Sequence, residues 1–412
     1  MPYIDSLPLE AFSGARCLSL PNTVSAYPPH ELYPLAHPAK GPVARLQAVL
    51  LDMDGTLVYT EPLYLGILEG VARALGVGAA WKGFDAVQDY PRLIGNSVTT
   101  HLHYVIAYCS EHFAPACFVP EVARSLRANA AHAMNCDRAE ETRHHMRVLG
   151  LEHGDAEAWC ATWTVAPPEA MGVEWRLAGA TEIYYAALAE ALTQMEPGGD
   201  GGNGIRLAEG LAPFLALISG AMHPVRLEEA ALLAGILNAD HPGEVACRGD
   251  DAIAMAATIA RDQPRIGVVT SATGLEARAI LGGICKELTR QIGTWPLEDA
   301  KRERLLARCA NAEALFETIT TASESYEHRL KPHPDLYRIA LGKLGAGESI
   351  LEETLVFEDS EAGTVAAGAA GIRHVCALAT EQTRHHRYPQ ASWMCSGGFG
   401  EVVRRWAGFV AG

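Results

Sequence analysis

The hydrophobic pattern changes period along the chain. Residues 47–52, QAVLLD, form a short continuous apolar run closed by an aspartate. That is the pattern of a strand buried on both faces. After Pro62 the spacing becomes helical. Leu63, Ile67, Leu68, Val71 and Leu75 share one face, and Gly76 supplies a stop. Mostly helical patterns then run to about residue 250, clearest in EIYYAALAEALTQM and RLAEGLAPFLALISGAM. Between these two lies EPGGDGGNG, residues 196–204. No GK[ST] follows it and no strand pattern precedes it, so it reads as a flexible linker rather than a phosphate loop. Strand and helix patterns alternate again late in the chain. RIGVVT (265–270), LFETITTA (315–322), TLVFED (354–359) and IRHVCAL read as strands. GLEARAILGGI, PDLYRIALGKLG and EAGTVAAGAAG read as the helices between and after them, the second opened by Pro334 near its first turn.

This alternation predicts an α/β fold, a Rossmann-like parallel sheet core with helices on both faces. The core is expected from residues 45–60 and 252–412. Residues 61–251 are expected to form a large, mainly α-helical cap inserted after the first core strand. Residues 1–44 carry Pro2, Pro8, Pro21, Pro28, Pro29, Pro34, Pro38 and Pro42. Such a segment cannot hold long helices or central strands, and it reads as an extended arm, either mobile or lying on the domain surface. In sheets of this kind ligands bind beyond the carboxyl ends of the strands. Three of the strand patterns end in polar residues: Asp52, Thr270 and Asp359.

Composition narrows the partners. The formal net charge is −16, which argues against a nucleic-acid backbone or an anionic membrane as the main partner. A small anionic substrate stays open, because a local site can be positive on an acidic protein. The chain has 49% apolar residues, enough for a sizeable core. Its ten cysteines form no CxxC pair and no zinc-like spacing, and read as free thiols in a reducing compartment. The first residues lack the basic start and apolar run of a secretory signal, and LAPFLALISGAM (211–222) is too short to span a bilayer. The expectation is a soluble cytoplasmic protein. His144 with His145, and His385 with His386, show no metal spacing and read as surface residues.

Four polar elements carry the candidate chemistry. Asp52 and Asp54 end the first strand in DMDGT, where Gly55 permits a tight reversal and Thr56 can brace the loop. Thr270 and Ser271 end IGVVT. They suit either the N-cap of a helix starting near Gly274 or an anion site at its N-terminus. Lys331 sits in RLKPHPD, where Pro332 and Pro334 stiffen the loop and fix where the amine points. Glu358 and Asp359 end TLVFED. Placed beside Asp52, these acids would repel strongly, and a hard divalent cation such as Mg2+ would resolve the repulsion.

Taken in order, DMDGT, VVTS, KPHPD and FEDSEAG resemble the four motifs of the haloacid dehalogenase superfamily, mostly Mg2+-dependent phosphatases. The group resembled most is that of phosphoglycolate phosphatases, sugar-phosphate phosphatases and β-phosphoglucomutases. The resemblance implies that Asp52 is the nucleophile that forms an aspartyl-phosphate. It implies that Asp54 is the general acid and base, its backbone carbonyl also facing the metal. Thr270 and Lys331, with Ser271, would hold the phosphoryl oxygens. Asp359 would bind Mg2+ together with Asp52, with Glu358 as a further or indirect ligand. Asp54 argues against dehalogenation, which has no leaving oxygen to protonate. RLIGNS (92–97) resembles a cap loop of the β-phosphoglucomutase-like group, and there Arg92 would meet the non-transferred part of an anionic substrate. Read from its residues alone, the same stretch is a helix-start loop capped by Ser97.

The chain also departs from these relatives. Tyr59 stands where they usually carry aspartate, and Tyr64 where β-phosphoglucomutases carry histidine. The insertion after the first strand is larger than usual, and extra residues lie within CKELTRQIGTWPLEDAKRERLLARC. The expected function is a Mg2+-dependent phosphatase of a small phosphorylated metabolite, a class that includes sugar phosphates. The alternatives are a phosphomutase and, from another class, a non-catalytic phosphate-binding regulator or scaffold. The intact general acid at position 54 weighs against the last.

Overall fold

The computed structural model describes residues 3–4, 16–22, 30–85, 88–93, 98–131, 138–151, 172–194, 196–197, 204–240, 246–325, 329–345, 348–381 and 383–411. The chain divides into two compact units. The first comprises Met1–Tyr59, Pro197–Gly199 and Gly204–Gly412; the second comprises Thr60–Glu196 and Asp200–Asn203.

The first unit is built on a six-stranded, wholly parallel sheet. Three strands precede it or open it: β1 (Cys17–Pro21), β2 (His30–Pro34) and β3 (Ala48–Leu51). The others are β4 (Arg265–Val269), β5 (Thr318–Thr320), β6 (Thr354–Glu358), β7 (His374–Leu378) and β8 (Trp393–Cys395). The order across the sheet is β8-β7-β6-β3-β4-β5. All residues of β3, β6 and β7 are buried, as continuous apolar runs require in a sheet covered on both faces. One face presents Ala48, Leu50, Val269, Val356 and Val375 to helices α4 (Asp335–Lys343) and α5 (Glu361–Ala369). On the opposite face Phe357 meets Phe214 and Phe399, whose rings stack 4.3 Å apart.

Phe214 belongs to helix α2 (Leu211–Ile218), every residue of which is buried. The helical stretch 204–250, which the sequence reading gives to the insertion, is thus grouped with the sheet unit. Helical periodicity identifies the elements here but not the surface they cover. Strand β8, three residues at a sheet edge, is a further addition to the reading. Part of the proline-rich start is paired into a sheet. Residues Tyr3–Ile4, β1 and β2 form a three-stranded antiparallel sheet, with Pro21 and Pro34 confined to strand ends. Leu18 and Leu35 of this segment pack with Val365 and Ala369 of α5.

The second unit is helical. Its helices include α1 (Glu61–Leu75), Val98–Tyr108, Pro115–Ala131, Ala139–Val148 and Val173–Thr193. Helix α1 ends at Gly76 with φ +118°, the left-handed stop expected of a glycine. The fully buried Glu182 carboxylate accepts from Asn129 Nδ2 at 2.6 Å and lies 2.7 Å from His145 Nδ1. His145 is therefore part of an interior polar cluster rather than a surface residue. Among the described residues, no helix is long and apolar enough to cross a membrane.

Phe214→Ala should cost about 3–5 kcal/mol of stability, the range for truncating a buried aromatic ring. Chemical denaturation followed by circular dichroism checks this. A cost below about 1 kcal/mol would show that α2 does not belong to the core of the first unit.

Candidate active site

The register of the parallel sheet brings its polar strand ends to one level. Leu51 pairs with Phe357 on one side and Val268 on the other. Asp52 and Glu358 therefore emerge together, and Thr270 follows on the next strand. The Asp52 amide donates to the Phe357 carbonyl at 3.0 Å, and the Thr270 amide to the Thr320 carbonyl at 2.9 Å.

After Asp52 the chain reverses sharply. The Gly55 amide donates to the Val58 carbonyl and the Leu57 amide to the Met53 carbonyl, both at 2.8 Å. Gly55 has φ +82°, and a Cβ there would lie 2.3 Å from Asp359 Oδ2. Only glycine lets the loop pass this close to the acid. The brace expected from Thr56 comes from the backbone instead. The Thr56 hydroxyl is buried with no hydrogen-bond partner among the described residues.

Lys331 is the centre of the arrangement. Its ammonium donates to Asp52 Oδ1, to Glu358 Oε1 at 2.6 Å and to the Val269 carbonyl at 2.7 Å. Three donors meet three acceptors, which is the full capacity of a lysine. Glu358 also accepts from the Tyr337 hydroxyl at 2.7 Å and from Ser360 Oγ at 3.3 Å. Gly363 leaves room for this carboxylate, because a Cβ there would overlap it at 1.9 Å. The Tyr388 hydroxyl donates to the Asp359 carbonyl at 2.6 Å. Sequence reasoning missed both tyrosines. Tyr337 occupies an apolar-face position of its helix and reads as core, and Tyr388 carries no pattern.

Thr270 is buried. Its hydroxyl accepts from the Ala272 amide at 3.0 Å and lies 3.4 Å from Asp54 Oδ2. The helix Gly274–Gly293 is capped by Thr273 in a capping box with Glu276. Of the two roles that the sequence leaves open for Thr270 and Ser271, the cap is therefore filled by Thr273. Ser271 is exposed. For Arg92 the backbone belongs to the short helix Tyr90–Leu93, but its side chain and residues 94–97 lie outside the described residues.

The electrostatics are those of crowded acids around one cation. Burial, then Glu358, push the Asp52 carboxyl well above the ordinary carboxylate range, with Lys331 opposing. Burial works against the Lys331 charge. Asp52 and Glu358 outweigh it and hold the ammonium above its ordinary value. Carboxylate oxygens of Asp52, Glu358 and Asp359 all lie within 4.8 Å of one another. This all-oxygen donor set fits a hard divalent cation such as Mg2+. The Asp54 carboxylate is not in this trio. Tyr59, a departure noted above, donates to Glu209 at 2.7 Å, with the Arg206 guanidinium 5.1 Å from the ring centroid.

The chain matches no family model and no curated protein. Among solved structures it is similar to CbbY from Rhodobacter sphaeroides in complex with phosphate. That match has 20% identity, a TM-score of 0.41, and covers 87% of this chain and 96% of that one. It is also similar to a putative β-phosphoglucomutase from Thermotoga maritima, at 16% identity and TM-score 0.35, over 86% of this chain and 96% of that one. A putative β-phosphoglucomutase from Bacteroides vulgatus gives 15% identity and TM-score 0.38, over 89% and 88%. At TM-scores this low, none of these likenesses says what this chain does.

Metal binding gives a direct check on the acidic trio. Mg2+ at a hundred times its dissociation constant should stabilise the protein by about 2.7 kcal/mol. Asp52→Asn should raise the thermal midpoint in chelator, by relieving repulsion, and should shrink the Mg2+-dependent gain. An Asp52→Asn protein with the parent's midpoint both with and without Mg2+ would count against the site.

Proposed function

We propose that the chain is a Mg2+-dependent phosphatase of small phosphorylated metabolites, working through an aspartyl-phosphate on Asp52. The observation that carries this reading is the Lys331 ammonium bridging Asp52 and Glu358 at the carboxyl edge of the sheet. A scaffold has no need of that arrangement. A nucleophilic carboxylate that must approach a phosphate dianion does need it, because both reactants are negative. The four motifs and their resemblance to the haloacid dehalogenase superfamily support the same reading.

In this reading Asp52 attacks phosphorus, the bond from phosphorus to the ester oxygen breaks, and Asp54 gives its proton to that leaving oxygen. Asp54, now a carboxylate, takes a proton from water. That water attacks phosphorus, and the bond to the Asp52 oxygen breaks, which restores the free carboxylate. Lys331 neutralises charge on Asp52 and on the transferring oxygens. The Thr270 hydroxyl, next to Asp54, serves as an anchor for the phosphoryl group. Asp52 and Asp359 would hold Mg2+, which when bound supplies positive charge opposite the phosphoryl oxygens. Glu358 acts by holding Lys331, since it already accepts from Lys331, Tyr337 and Ser360. Tyr64, in place of a mutase histidine, favours hydrolysis over transfer to a second substrate hydroxyl.

Hydrolysis of p-nitrophenyl phosphate should depend on Mg2+. Asp52→Asn should lose at least about a thousandfold in kcat, as removal of a nucleophile does. Asp54→Asn should lose about 10²–10⁴-fold, the range of general acid–base catalysis. Equal turnover by the parent and Asp52→Asn preparations would rule the reading out.

A further inference from the structure

The N-terminal strands reach the loop that carries Lys331. On β2, Glu31 and Tyr33 point to the same side, two residues apart. Glu31 Oε1 accepts from Arg329 Nη2, and Glu31 Oε2 lies 3.0 Å from His333 Nε2. The Tyr33 hydroxyl donates to Glu31 Oε2 at 2.9 Å and lies 2.7 Å from the same histidine nitrogen. One carboxylate therefore grips residues 329 and 333, which stand two places before and two places after Lys331.

The grip is specific in its chemistry. The Asp335 amide donates to His333 Nδ1 at 3.2 Å, so Nδ1 is the acceptor and Nε2 carries the proton that faces Glu31. Burial lowers the His333 pKa despite the Glu31 bond, in keeping with this neutral tautomer. Arg329 Nη1 meets Asp335 Oδ2 at 3.2 Å, which closes the loop on itself. The ladder that presents Glu31 is itself anchored, with Leu18 and Leu35 packed on α5. A single residue on either side, Leu330 or Pro332, lies between this cluster and the ammonium that holds both Asp52 and Glu358.

We propose that Glu31 and Tyr33 are positioning residues, through which the N-terminal sheet sets the place of Lys331. This rests on the phosphatase reading for its consequence, though not for the anchoring itself. A displacement of about 1 Å in a catalytic group can cost about 10²-fold, so partial loosening of the loop should be visible in turnover. Among the described residues, the hydrogen bonds of Glu31 and Tyr33 to the rest of the unit go to the lysine loop, and the Tyr33 ring also lies 5.1 Å from the Arg338 guanidinium of α4.

The test compares Glu31→Gln and Tyr33→Phe with Leu32→Ala, a change at an exposed position on the same strand. Two readouts are used on the full chain: hydrogen exchange of the amides of His333 and Asp335, and steady-state hydrolysis of p-nitrophenyl phosphate. Both test variants should exchange these amides about tenfold faster than the parent. They should also lose about tenfold in kcat, with KM changed less than about twofold. Their circular dichroism spectra should be those of the parent, and Leu32→Ala should match it throughout. Unchanged exchange in both variants overturns the anchoring. Faster exchange with the parent's kcat overturns the positioning role. Faster exchange in the variants, with no hydrolysis even by the parent, upholds the anchoring and removes the phosphatase reading instead.

Discussion

The structure of the first unit turns on one buried contact: the Lys331 ammonium between the carboxylates of Asp52 and Glu358. Three acids and one lysine share a level at the edge of the sheet; the acids are buried, and the lysine side chain is 6% exposed. Acids at that density do not stay ionised unless cations offset them. Lysine supplies one positive charge, and the donor set that remains suits a divalent ion. Removing the lysine would leave buried carboxylates without their partner, a loss of about 3–5 kcal/mol in comparable cases. On the proposed reading, the same contact that holds the strand ends together also prepares Asp52 to meet a second negative group.

Much of the surrounding fold serves to make this contact possible. Parallel register brings Asp52 level with Glu358, because β3 lies between β6 and β4. Tyr337, from the helix after the lysine loop, fixes Glu358 from one side, and Ser360 fixes it from the other. Burial and Glu358 push the Tyr337 phenol well above its usual range, so it remains a donor. Gly55 and Gly363 are where side chains must be absent, since each would collide with one of the acids. The apolar layers beneath, with Leu50 and Val356 on one face and Phe357 on the other, hold the strands that carry these groups.

The core strands and the acidic residues were legible in the sequence because each has a short-range signature. A buried parallel strand is a continuous apolar run, and an aspartate at its end is conspicuous. What was not legible depends on contacts distant in sequence. Nothing in LAPFLALI says that Phe214 stacks on Phe399, nearly two hundred residues later. Tyr337 looks like any core aromatic until its hydroxyl is seen on Glu358. Thr270 and Thr273 are equally plausible caps by composition, and only the bond from the Glu276 amide to Thr273 separates them. Among the described residues before position 44 there is no helix, and proline content says little about the short antiparallel ladder that stands there. Glu31 and His333 are 302 positions apart, and no local pattern could pair them.

The central claim is that the Asp52 carboxylate itself receives the phosphoryl group. It is tested most directly by quenching Asp54→Asn protein in acid during turnover of p-nitrophenyl phosphate. Mass spectrometry of the peptide spanning residues 49–64 then locates any acyl-phosphate. The predicted result is a phosphoryl group on Asp52, absent when Mg2+ is chelated. Turnover with the phosphoryl group on a different residue, or with none bound to protein at any quench time, would contradict it.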